Sequence, residues 1–135
     1  MSTIQVNAIQ SSTGTQEVTQ TTIFSGTAKA WSNLNGTGTI AERDSFNISG
    51  YIDHNVADYT FAISADMGDA NYASIGMVRG TQSYGAIQAA TVVAAQSTAP
   101  ATDGLRVTTP AVGDNNVRAN IDSDYTMVAL YGDLA

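Results

Sequence analysis

Apolar and polar positions alternate with period two along two clear stretches of the chain. Over residues 45–52, Phe46, Ile48, Gly50 and Ile52 share one side, and Ser45, Asn47, Ser49 and Tyr51 share the other. Over residues 58–65, Tyr59, Phe61, Ile63 and Ala65 are expected inward, with Asp58, Thr60 and Ser64 outward. Such alternation marks a half-buried β-strand. The segment between them, Asp53-His54-Asn55-Val56-Ala57, has the length of a hairpin connection. Further strands are predicted over 72–78, where Ala73, Ile75 and Met77 share a face, and over 86–95, 105–109, 117–121 and 125–131. Residues 86–95 are the least regular of these. Their alanines favour a helix, but Thr91, Val92 and Val93 are β-branched and shift the reading to strand. Turn residues separate the segments at Met67-Gly68-Asp69, Asp103-Gly104, Gly113-Asp114-Asn115-Asn116 and Asp122-Ser123-Asp124. About eight strands at this close spacing predict an all-β fold, an antiparallel β-sandwich or jelly roll over residues 27–135.

The two ends of the chain depart from simple alternation. In the last strand Tyr125, Met127, Ala129 and Tyr131 form one face, while Val128 and Leu130 dominate the other. A strand apolar on both faces is buried on both faces, and in a two-sheet sandwich the outer cover has to come from elsewhere. Tyr125, Met127, Val128, Leu130 and Tyr131 are therefore the expected oligomer interface. Residues 1–26 are mostly Ser, Thr and Gln, with apolar anchors at Ile4, Val6, Ile9, Val18, Ile23 and Phe24. This segment cannot bury much by itself and reads as an extended N-terminal arm that packs on a neighbour. Fully extended, it would reach roughly 80 Å at about 3.3 Å per residue. Trp31, just past the arm, is read as a core residue or as a wedge between arm and sandwich.

Composition narrows the function. Ala occurs 20 times and Leu 4 times in 135 residues, which argues against a helical bundle, and Thr, Ser, Gly and Asn are abundant. The net charge is −7, with one Lys (Lys29) and four dispersed Arg (Arg43, Arg79, Arg106, Arg118). Nucleic acid and anionic membrane surfaces need clustered cations, so neither is an expected partner. No Cys is present, which removes disulfides, thiolate metal sites and thiol nucleophiles. The run Ala89–Ala95 is too short to cross a bilayer, so no membrane insertion is expected. The first residues, Met1-Ser2-Thr3-Ile4-Gln5, lack the basic and apolar regions of a secretory signal. Work outside a cell would then require another route, such as release by lysis within a particle.

Catalytic and metal patterns are weak. His54 is the single His and sits in a polar hairpin with no G-x-S-x-G elbow to serve. Asp122-Ser123-Asp124 and Asp114-Asn115-Asn116 match no calcium loop and read as turn residues. Gly36-Thr37-Gly38 lacks the Lys-Ser/Thr of a phosphate loop. The two Glu, Glu17 and Glu42, give little basis for paired-carboxylate glycoside chemistry. No cofactor, metal or enzymatic activity is expected.

The segment 28–49, AKAWSNLNGTGTIAERDSFNIS, resembles a module of phage virion proteins. The module is common in tail-fibre and particle-surface proteins of phages infecting cyanobacteria and other aquatic bacteria. Asp58-Tyr59-Thr60-Phe61, Met67-Gly68-Asp69-Ala70-Asn71-Tyr72 and Met127-Val128-Ala129-Leu130-Tyr131-Gly132 are similar to its later segments. Leu34 stands where the pattern has an aromatic, Gly68 where it has proline, and the hairpin loop 53–57 differs. The resemblance implies a structural virion protein on the particle exterior and a homotrimer, with no catalytic residues to carry over. One module plus an arm suits a capsid decoration or cement protein seated on the major capsid protein. The alternative is a tail-fibre tip that joins a tail component and contacts a host surface glycan or receptor. Its contact loops would hold His54 and Asn55, and Asp114 and Asn115.

Overall fold

A computed structural model describes residues 6–79, 89–90, 93–94, 98–112 and 118–135. The chain is all-β, a sandwich of two antiparallel four-stranded sheets. The first sheet runs β4 (Ala41–Phe46), β3 (Ala30–Asn35), β13 (Tyr125–Tyr131), β7 (Ala73–Arg79). The second runs β5 (Ile48–Asn55), β6 (Asp58–Ile63), β10 (Gly104–Thr108), β9 (Val93–Ala94). A three-stranded sheet, β12 (Arg118–Asn120), β11 (Pro110–Val112), β8 (Ala89–Ala90), continues from β10 through the single residue Thr109. Of the expected strand over 86–95, Ala89–Ala90 and Val93–Ala94 fall in different sheets, and the rest lies outside the described residues.

The core lies between the two four-stranded sheets. Ala30, Leu34, Val128 and Leu130 from the first pack with Tyr59, Phe61, Ile63, Leu105 and Val107 from the second. The inward set expected for residues 58–65 is observed at Tyr59, Phe61 and Ile63, and Ala65 lies beyond the strand end. Each large apolar side chain removed from water here contributes about 1.5–3 kcal/mol, the main stabilising term. Gly36 and Gly132 are needed for close approach: a Cβ on Gly36 would fall 2.8 Å from Tyr59 Cζ, and one on Gly132 would fall 2.9 Å from Tyr72 Cβ.

The expected single strand over 45–52 is not one strand. It breaks at Asn47, which adopts φ 57°, and the chain passes there from the first sheet to the second. Asn47 Oδ1 accepts from the Ala65 N–H (2.7 Å), and its Nδ2 donates to the carbonyls of Lys29 and Ala65 (3.0 Å each). Asn tolerates the left-handed region better than most residues, and its amide can bond both flanking segments. A register shift follows between Ile48 and Gly50. One extra residue inverts the facing of everything after it. Tyr51 therefore turns inward, edge-on to Phe61 at 5.4 Å, and Ile52 turns out to solvent.

Trp31 is neither core nor wedge. Its neighbours Ala30, Ser32 and Leu34 point inward, so period two sends the indole to the outer face. The N-terminal segment also departs from the extended course read from composition. β1 (Ala8–Gln10) pairs with β2 (Glu17–Thr19), and α1 (Gln20–Gly26) follows. Gly14 at φ 67° closes the hairpin, and the Thr19 hydroxyl caps the helix by accepting from Thr22 N–H at 3.2 Å.

Two substitutions test this account by urea denaturation. Asn47→Gly keeps the backbone conformation but loses three hydrogen bonds, an expected cost of about 2 kcal/mol. Asn47→Ala should cost roughly 1 kcal/mol more, because alanine must also hold the left-handed backbone. Thr126 is fully buried, and its hydroxyl has no partner among the described residues. Thr126→Val should therefore leave the midpoint unchanged or raise it.

Candidate interaction surface

The sheet register places one apolar row and one mixed row on the outer face of the first sheet. Phe46, Trp31, Ala129 and Ile75 lie in line across its four strands, and Asn33, Met127 and Met77 form the adjoining row with Asp44 at the edge. Trp31 is 36% exposed, Phe46 54%, Ile75 62% and Met77 63%. Trp31, Asn33, Ile75, Met77, Met127 and Ala129 line a shallow depression on this face. The strand β13 passes through its middle. Thr126, Val128 and Leu130 enter the core, while Tyr125, Met127, Ala129 and Tyr131 remain half-buried outside. Val128 and Leu130 are thus taken up by the chain's own core and cannot reach a partner. Of the expected interface residues, Tyr125, Met127 and Tyr131 remain at the surface. Trp31, Phe46, Ile75 and Met77 were not expected in this role. The face shared by Ala73, Ile75 and Met77 was visible in the sequence, but nothing in its pattern said which way it points.

At one end of this face two arginines pack on Tyr125 beside Asp124. The Arg43 guanidinium lies 4.1 Å from the Tyr125 ring centroid and that of Arg79 lies 5.1 Å away. Arg43 Nε donates to the Asp124 carbonyl at 2.9 Å, and Arg79 approaches Asp124 Oδ2 at 3.8 Å. Two of the five basic residues of an acidic chain therefore sit together on an aromatic ring.

The expected arm anchors form a second exposed apolar surface. Val6, Ile9, Ile23 and Phe24 line one concavity of about 650 Å³, and Val18 sits across the hairpin from Ile9. These five side chains are 39–58% exposed, and no residue of α1 is buried. Ile4 lies outside the described residues. The Lys29 ammonium bonds the carbonyls of Phe24 and Thr27, which ties the end of α1 to the start of β3.

The loops expected to serve a ligand are only partly described. His54 and Asn55 are exposed at the β5–β6 turn, where His54 Nε2 meets Thr60 Oγ1 at 2.9 Å and Asn55 Oδ1 accepts from Val56 N–H at 2.8 Å. Asp114 and Asn115 lie outside the described residues. Beside the turn, Arg106 grips Asp58 through Nε–Oδ1 (2.8 Å) and Nη2–Oδ2 (2.6 Å). That bidentate bond holds the Asp58 carboxyl below its ordinary range. Asp122, weighed above as a turn residue, joins distant segments: its Oδ1 accepts from the Ala57 N–H and from the Tyr59 hydroxyl, both at 2.6 Å. Burial first, and then the hydrogen bond to this carboxylate, push the Tyr59 phenol far above its usual value, so it stays protonated. Among the described residues, no three His, Asp or Glu side chains gather to hold a metal ion, and no helix is long and apolar enough to cross a membrane. No family model, curated protein or solved structure matches the chain.

The Asp58–Arg106 pair has a defined pH signature. Because the folded-state pKa of Asp58 is depressed, its contribution is complete above the unfolded value of about 3.9 and is lost as pH falls from there through the folded value. Asp58→Asn should lower the urea midpoint at pH 7. The gap to the parent should close on acidification below about pH 4. A gap unchanged by acid would contradict the ion pair.

Proposed function

We propose that this chain is a non-enzymatic structural protein of a phage particle, a homotrimeric capsid decoration or cement protein on the exterior, seated on the major capsid protein. The observation that carries the reading is the outer face of the first sheet. An apolar row of Phe46, Trp31, Ala129 and Ile75 left in water is costly for a small soluble domain, whereas an assembly subunit uses it. The exposed apolar residues of the N-terminal segment add a second contact of the same kind. The likeness of residues 28–49 and 127–132 to the virion module supports a particle rather than some other assembly. Multiple copies convert weak individual contacts into durable attachment. A tail-tip role would instead use the polar turn at His54 and Asn55.

Copy number separates the two. Quantitative gels of purified virions should show hundreds of copies per particle. A few dozen or fewer would favour the tail, and absence from the particle would overturn the reading. Deleting residues 1–26 should abolish attachment, and full retention would refute an anchoring arm.

A further inference from the structure

We infer that residues 6–26 of one copy cover the outer face of the β4-β3-β13-β7 sheet of the next copy, so that subunits join arm to face. Two observations meet here. The sheet has an apolar face that no described residue covers, with Trp31, Phe46, Ile75 and Met77 exposed on it. The N-terminal segment has an apolar concavity with no core of its own.

The segment cannot be held by its internal bonds. Its strands are three residues each and its helix is seven. An isolated hairpin of that size is marginal in water, and helices shorter than about 12–15 residues do not persist alone. Its backbone bonds outside the ladder, Ser11 N–H to Gln16 O and Gln20 N–H to Asn7 O, close on the segment itself. No residue from 6 to 27 is buried. Such a unit stays ordered when a second surface takes up Val6, Ile9, Ile23 and Phe24.

Charge and area favour another copy of this chain as that surface. The chain carries −7 overall, but residues 6–26 hold a single charge, Glu17. An almost neutral arm approaches an acidic copy with little repulsion. At their exposures, the large side chains of the face offer on the order of 500 Å² of apolar surface, taking roughly 150–250 Å² for a fully covered one. That alone is below the ~800 Å² per partner of a standard interface. A chain that donates its arm and accepts another's buries on the order of 900 Å² in all, which reaches that size where both contacts are made to the same copy and is divided between two smaller contacts in a ring. A head-to-tail contact of this kind closes into a ring when the rotation permits. The contact needs only these two surfaces, whereas closure after three copies rests on the reading proposed above.

Because the chain has no Cys, single-Cys variants report the contact directly. Phe24→Cys and Met77→Cys change exposed residues, and one of the two carries a mass tag. Mixed and oxidised, they should give the mixed disulfide in several-fold excess over either like pair. Sedimentation of the full chain at micromolar concentration should show a multimer. Deleting residues 6–26, or the separate variant Met77→Asp, should reduce it to monomer, with the Met77→Asp urea midpoint retained. A monomeric full chain, a multimer that survives the deletion, or a Phe24→Cys/Met77→Cys chain that forms only an internal disulfide would each overturn the inference. A mixed disulfide in an assembly of two or four copies would uphold arm-to-face contact and overturn the trimer alone.

Discussion

β13 has apolar residues at both parities and lies inside its sheet, with β3 on one side and β7 on the other. Period-two geometry sends Val128 and Leu130 to one face and Met127 and Ala129 to the other, and no rotation of the strand hides both sets. The fold resolves half of this conflict. Val128 and Leu130 close the core against the second sheet. The other half is left outside, and the neighbouring strands enlarge it: Trp31 and Phe46 from β3 and β4, Ile75 and Met77 from β7. The surface continues the core's chemistry onto the wrong side of the sheet. The assembly proposed above would give such a face its cover.

Polar joints, each made by one residue, hold the rest of the sandwich in place. Asn47 turns the chain from one sheet to the other and bonds both Lys29 and Ala65. Asp122 ties the β5–β6 turn and the Tyr59 hydroxyl to the approach of β13. Tyr51 donates to Glu42 at 2.9 Å and meets Ser32 at 2.9 Å, linking β5 to β4 and β3. Such bonds specify how the sheets meet, because an unmatched buried polar group is expensive. Glu42, Tyr59 and Asp122, which could suggest catalysis in isolation, are occupied in this way.

The sequence was most legible where alternation was long and unbroken. The inward set of β6 and the split faces of β13 follow directly from it. It was least legible where one residue changes the outcome. The left-handed turn at Asn47 and the shift between Ile48 and Gly50 invert the facing of Tyr51 and Ile52, and neither leaves a trace in periodicity. Alternation also says which residues share a face but not which face is inward. Trp31 was misplaced for that reason: hydrophobicity favoured the core, and the packing of Ala30, Ser32 and Leu34 sent it out. For the N-terminal segment, composition described how little it buries but missed the hairpin and helix set by Gly14 and Thr19. The candidate interface was legible in its strand and invisible in its extent, since Phe46 and Ile75 join it only through sheet order.

Trp31 is the single Trp of the chain and stands on the face in question, so its fluorescence reports cover directly. With covered faces, emission at micromolar concentration should be blue-shifted and resistant to acrylamide. It should move to the red and become quenchable on dilution. Red-shifted, freely quenched emission that does not change with concentration would contradict the claim that this face is completed by assembly.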